Sequence, residues 1–257
     1  MADQKSKAEA FGALHQQGHP LVLTNIWDAG TASAVAAAGA PAVATGSASI
    51  AEANGYSDGE DIPFATLLII SAAMCKAVQC PVSIDIETGY ADSLDSLGAN
   101  IFAVIQTGAV GINIEDRLLT ENELRPCEEQ VRRIKTVRSA AEEKGIPLFI
   151  NARTDVFLRE PDERAHPQLV AEARRRGEAY ARAGASGFFA PGLANPDLIK
   201  QLAAATTLPL NIMTADNPPD ITAIAALGVR RISTGPYPFR RAMAALRAEA
   251  EAFQQRG

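Results

Sequence analysis

Aromatic side chains are scarce in this chain: Phe, Tyr and Trp make up 5% of its 257 residues. Its core must be built from Ala, Val, Ile and Leu, and Ala alone occurs 49 times. Cysteine is rarer still. Cys75, Cys80 and Cys127 cannot form an even disulfide framework, which points to a reducing, cytoplasmic setting. The three histidines, His15, His19 and His166, are spaced for no zinc site. Positive charge is in deficit, 24 basic against 30 acidic residues for a formal charge of −6, which argues against a nucleic-acid partner. The one basic cluster, Arg174–Arg176, lies in an alanine-rich helical stretch and reads as a solvated face. Long apolar runs are missing too. Leu67–Ile70 falls far short of the roughly 20 residues of a spanning helix, and no apolar stretch behind Met1–Lys7 could serve as a signal peptide. The remaining balance, 47% hydrophobic and 21% charged, suits a globular domain and not a disordered chain.

Short apolar, β-branched runs alternate with alanine-rich stretches of helical length. The strand candidates are 21–24, 42–45, 82–87, 111–115, 148–153, 187–190, 208–213 and 231–234. Helices are expected over 31–38, 64–78, 94–107, 128–144, 168–183, 196–204, 221–226 and 239–253. Gly39, Gly108, Gly145, Gly184 and Gly228 each follow a helical stretch, where a left-handed C-cap belongs. Eight strands each followed by a helix predict a (β/α)8 TIM barrel. No composition break splits residues 1–257, so a single domain is expected. An open doubly wound sheet would carry a Gly-x-Gly-x-x-Gly turn after its first strand. Asn25–Gly30 is not one.

Barrel chemistry sits at the carboxyl ends of the strands. There the third strand offers Asp85 and Glu87, the fourth Asn113 and Glu115, the fifth Asn151 and Arg153, and the seventh Asn211. Strict alternation would aim Asp85 and Glu87 the same way. A lone acid at a strand end is most simply a helix cap. Three acids on adjacent strands beside one Arg instead suit a hard cation, Mg²⁺ or Mn²⁺, with Arg153 as a carboxylate clamp.

Asp85–Tyr90, Gly111–Asp116 and Asn151–Asp155, with Trp27-Asp28, Thr45-Gly46-Ser47, Asp58 and Pro209–Ile212 in order, resemble the isocitrate lyase/phosphoenolpyruvate mutase superfamily over nearly the whole chain. The resemblance implies a barrel whose last helix is exchanged between subunits of a homodimer or homotetramer. It implies a Mg²⁺ ion holding a small 2-oxo or dicarboxylic acid. By position, Asp85 would ligate the metal directly, with Glu87 and Glu115 holding its waters. Arg153 would bind the substrate carboxylate, with Thr45, Gly46 and Ser47 around the pyruvyl-like oxygens. Trp27 would wall the pocket, and Asp58 would orient the water shell. Departures from the pattern are Glu87 for the commoner Asp and Ala91 for a frequent Gly.

A larger departure follows Glu115. Isocitrate and methylisocitrate lyases carry a cysteine-bearing loop there, whereas this chain reads Asp116–Pro126 with neither cysteine nor histidine. Cys127 reads as a buried or helix-opening residue, and Asn122 falls where the mutase loop presents an asparagine. Carbon–carbon cleavage or decarboxylation of a small 2-oxo or 2-hydroxy acid is therefore expected, and efficient isocitrate cleavage is not. Carbon–phosphorus chemistry at the same metal and 2-oxo acid binding without turnover are the alternatives. The recurrence of Phe239, Met243, Leu246, Ala250 and Phe253 gives the last helix an apolar stripe, as an exchanged helix would need.

Overall fold

A computed structural model describes residues 2–16, 18–119, 123–214 and 220–255. After an opening helix, α1 (Ala2–Leu14), the chain forms β1 (Leu21–Leu23), β2 (Asn25–Ile26), α2 (Ala29–Ala37), β3 (Val43–Thr45), α3 (Ser47–Ala53), α4 (Phe64–Ala77), β4 (Val82–Asp85) and α5 (Leu94–Gln106). There follow β5 (Gly111–Glu115), α6 (Cys127–Glu143), β6 (Phe149–Arg153), α7 (His166–Arg182), β7 (Gly187–Phe189), α8 (Pro196–Ala205), β8 (Leu210–Met213), α9 (Ile221–Ala226), β9 (Arg231–Ser233) and α10 (Tyr237–Gln254). Every pairing is parallel, and the order runs β1-β9-β8-β7-β6-β5-β4-β3-β2. Because β1 pairs with β9 and β2 with β3, the two short strands act as one interrupted stave that closes the ring. This is the expected (β/α)8 barrel.

Register explains why the middle of the barrel is polar while its wall is greasy. Ile84, Ile112 and Ile150 form one row, buried between strands and helices. Asp85, Asn113 and Asn151 form the next row, on the opposite side of the sheet. Local signals set the helices: Asp28 accepts from the Thr31 amide at 2.7 Å in a capping box, and Ser93 with Ser96 repeats the motif at α5.

Two helices are absent from the sequence pattern. α1 carries little periodicity, yet its Phe11 and the following His15 plug the barrel's lower end, with His15 stacked on Phe149 at 3.9 Å. Gly111 is required beneath them, since a Cβ there would lie 2.7 Å from the Phe11 ring. α3 is only seven residues long, too short to read from periodicity. Among the described residues, no helix is long and apolar enough to cross a membrane.

Candidate active site

A cavity of about 220 Å³ opens at the carboxyl ends of the strands. That is smaller than the roughly 300–1,000 Å³ typical of drug-sized ligand sites, so a small ligand is indicated. Asp85, Arg153, Gly46, Ser47 and Asp58 line it, as expected, and so do Asn25, Asn113, Phe189 and Arg240. Asn25 and Arg240 went unnoticed in the sequence: Asn25 stands just past the first expected strand with no acid beside it to mark it, and Arg240 falls on a helix. Arg240 sits in the first turn of α10, which only the folded chain brings over the mouth.

Asp85 is 6% exposed, and burial raises its pKa against the opposing charge of Arg153. One carboxylate oxygen accepts from the Glu87 amide at 3.1 Å, the other from Asn113 Nδ2 at 3.4 Å. Further lone pairs remain on both oxygens. Thr45 does not line the cavity. Its hydroxyl accepts from the Asp85 amide at 2.7 Å and so fixes the backbone of that residue. Arg153 Nη1 meets Glu115 at 2.7 Å, while its Nε and Nη2 donate to Asp155 at 2.6 and 2.9 Å. Burial works against the Arg153 charge, but Glu115 and Asp155 outweigh it and hold the guanidinium pKa well above its ordinary value. These contacts leave one hydrogen on each Nη for a ligand carboxylate.

Glu87 departs from the alternation expected of it. β4 ends at Asp85, and Glu87 takes a left-handed backbone with φ of 50°. Its carboxylate turns to a neighbouring loop, accepting from the Glu60 amide at 2.8 Å and the Tyr90 hydroxyl at 3.0 Å. Glu60 reciprocates: one of its oxygens accepts from the Thr88 amide, the Thr88 hydroxyl and the Tyr90 amide at 2.9, 2.6 and 2.9 Å. Glu60, Glu87 and Tyr90 are the non-glycine residues with positive φ among those described, and all three belong to this clasp. Burial, Asp58 and Asp85 push the Glu87 pKa up to about 7. Burial also raises Glu115, with Arg153 opposing and Asp155 adding to the rise.

Other expected residues sit nearby without lining the cavity. Trp27 packs edge-on against Phe239 at 5.2 Å, tying the start of α10 to the barrel. Asn211 is fully buried and donates to Ser233 Oγ at 3.1 Å. The Gly46 amide is engaged by the Ile26 carbonyl at 3.3 Å. It falls to Ser47 and Ala48, at the start of α3, to offer amides without intrahelical acceptors. Cys127 opens α6 and is buried, with its thiol pKa raised by burial, and it does not line the cavity. Asn122 lies outside the described residues.

The donor set suits a hard divalent cation held mainly by one group. Among the described residues, no three acids are placed to grip an ion together. Asp85 alone offers the cavity a carboxylate with open lone pairs at its floor, with Asp58 at the rim. Mg²⁺ commonly takes only one or two carboxylates and keeps its waters, so the arrangement fits.

The sequence model of one family, described as phosphoenolpyruvate phosphomutase, matches residues 11–254. The chain belongs to that family. A Burkholderia cenocepacia protein provisionally described as a phosphonomutase superposes with a TM-score of 0.93 at 42% identity, covering 99% of this chain and 100% of the other. An uncharacterized protein of Mycobacterium tuberculosis is 33% identical over 232 residues, 90% of this chain and 83% of that protein. The oxaloacetate decarboxylase of Pseudomonas putida is 27% identical over 168 residues, 62% of this chain and 54% of the enzyme. A phosphonopyruvate hydrolase in complex with oxalate and Mg²⁺ shares the fold, with a TM-score of 0.87 at 22% identity over 98% of this chain and 88% of the hydrolase.

Proposed function

We propose that this chain is a Mg²⁺- or Mn²⁺-dependent lyase that breaks a carbon–carbon bond in a small 2-oxo acid, with decarboxylation of an oxaloacetate-like diacid as the leading case. One observation carries the reading: a buried carboxylate with open lone pairs, Asp85, shares a small cavity with a guanidinium that keeps free hydrogens, Arg153. When bound, the ion supplies Lewis-acid polarisation of the substrate oxygens. Asp85 would hold it directly, and Asp58, Glu87 and Glu115 are the acids that would hold its waters. Arg153 grips the substrate carboxylate, and the Ser47 and Ala48 amides orient the remaining oxygens. Decarboxylation needs an electron sink and little else. Cleavage of isocitrate also needs a positioned acid for the nascent carbanion, typically worth 10²–10⁴-fold. Buried Cys127 is not placed to be that acid.

Carbon–phosphorus chemistry is the second reading, favoured by the Burkholderia relative and by Arg240 at the rim as a second cation. A homodimer or homotetramer that exchanges α10 belongs to the same proposal. The helix is anchored by Phe239 in its first turn, and Met243, Leu246 and Phe253 lie exposed beyond it. A cytoplasmic setting fits the three free cysteines. The test is turnover of oxaloacetate, phosphonopyruvate and isocitrate with Mg²⁺ or Mn²⁺, against chelator and Asp85→Ala controls. Metal-dependent release of pyruvate from oxaloacetate, lost in Asp85→Ala, is expected. Phosphate release from phosphonopyruvate would favour the second reading, and rates equal to Asp85→Ala on every substrate would leave a binding protein.

A further inference from the structure

Below Asp85 the barrel holds a charge that this chemistry does not use. Arg231, on β9, heads the fully buried side chains by size and has no solvent exposure (0%). It forms no salt bridge among the described residues. Its contacts are two long hydrogen bonds, from Nε to Ser233 Oγ at 3.4 Å and from Nη2 to Asn113 Oδ1 at 3.3 Å. Nη1 is buried without a partner. Burial pulls the guanidinium pKa down to about 9, with Asp85 opposing, so the group remains cationic at neutral pH. An unpaired buried cation is costly to keep, and an apolar side chain of similar volume would serve packing better.

Asn113 supplies a reason for keeping it. Its Oδ1 accepts from Asn151 Nδ2 at 2.9 Å and from Arg231 Nη2. A carbonyl oxygen has two lone pairs, so this one is filled. A flipped amide would press an NH2 group against Arg231 Nη2, a donor that, unlike the Asn151 amide, cannot reverse into an acceptor. The NH2 of Asn113 is thereby turned to Asp85, its register partner on β4, and donates to Oδ2. We propose that Arg231 is a positioning residue that acts through Asn113 to fix the Asp85 carboxylate for a divalent cation. This role rests on the reading of Asp85 as the metal ligand.

Electrostatics alone demands the opposite outcome, which makes the test decisive. Deleting a buried positive charge near a cation site tightens cation binding, whereas deleting a lock on the ligand weakens it. Calorimetric titration of Mn²⁺ into the wild type, R231M, N113L and R231M/N113L should show each single variant weakened roughly tenfold or more, the usual effect of losing a group that orients a ligand. The double variant should be no weaker than N113L, because both changes break one linkage. R231K, which keeps the charge but loses the planar fork, should fall between the wild type and R231M. The thermal midpoint of R231M should be unchanged or higher. Equal or tighter binding by R231M overturns the proposal, and so does an R231M deficit that persists undiminished in the N113L background. If R231M does not fold, wild-type affinity in both R231K and N113L overturns it. A wild type that binds no Mn²⁺ removes the metal reading itself, and the role of Arg231 with it. A binding-competent wild type matched by R231M removes only the latter.

Discussion

The two ends of this barrel bury polar groups by opposite means. At the mouth, ionisable groups are held in pairs and bridges: Arg153 with Glu115 and Asp155, Glu87 with the Glu60 amide and the Tyr90 hydroxyl. At the lower end, a titratable group is kept neutral inside an aromatic plug. His15 Nδ1 donates to the Phe11 carbonyl at 2.8 Å, its ring stacks on Phe149, and burial lowers its pKa to about 3. The contrast teaches where each kind of polarity belongs. In this fold the carboxyl-terminal face carries chemistry and the opposite face carries stability. Substitutions at the mouth should therefore move activity, and those at the plug should move stability.

Arg153→Met should cross that line and produce the largest effect. It removes the substrate clamp and also leaves Glu115 and Asp155 buried without their cation, a loss of about 3–5 kcal/mol. Urea denaturation and turnover should both fall. Unchanged stability would mean that the two acids find other partners and that the mouth tolerates unpaired charge.

His15 provides the complementary test by pH. Its folded pKa lies below the ordinary 6.5, so its contribution to stability is complete above about pH 6.5 and is lost as the pH falls toward 3. At 1.36 kcal/mol per unit this is at most about 5 kcal/mol. His15→Phe should flatten stability over that window while leaving turnover alone, and an unaltered slope would show that another group titrates.

The smallest effect on the barrel itself is expected from α10. Leu246 is 61% exposed and Phe253 64%, so replacing both with Asp should change monomer stability by only about 0.5 kcal/mol per site. Light scattering should nonetheless show an oligomer reduced to monomers. An unchanged mass would separate α10 from assembly.

Much of this architecture was legible in the chain. Eight β-branched runs, their alanine-rich partners and the glycines after them follow from periodicity and capping, and strand ends drew attention to Asp85, Asn113 and Arg153, which meet in one cavity, and to Glu115, which pairs with Arg153 without lining it. What escaped is what periodicity cannot encode. Glu87 was expected to follow Asp85 by strand alternation, but a left-handed residue resets the direction of everything after it. Glu60 sits in a loop 27 residues upstream of the group it contacts. Arg231 looks in sequence like a surface residue beside Arg230, and only closure of the β9 stave beside β1 and β8 buries it. The plug helix α1 has only two large apolar side chains, Phe11 and Leu14, too few to announce a face.

The clasp between Glu60 and the turn after β4 has a mechanical consequence. Residues 54–63 and 86–90 cannot part without breaking several hydrogen bonds at once. The second stretch is itself fixed to the barrel wall, where the Ile86 amide donates to the Asn113 carbonyl at 3.2 Å and the Glu115 amide to the Glu87 carbonyl at 2.8 Å. Asp58 therefore hangs from a loop moored to the same strand end as Asp85, and the two acids share one anchorage.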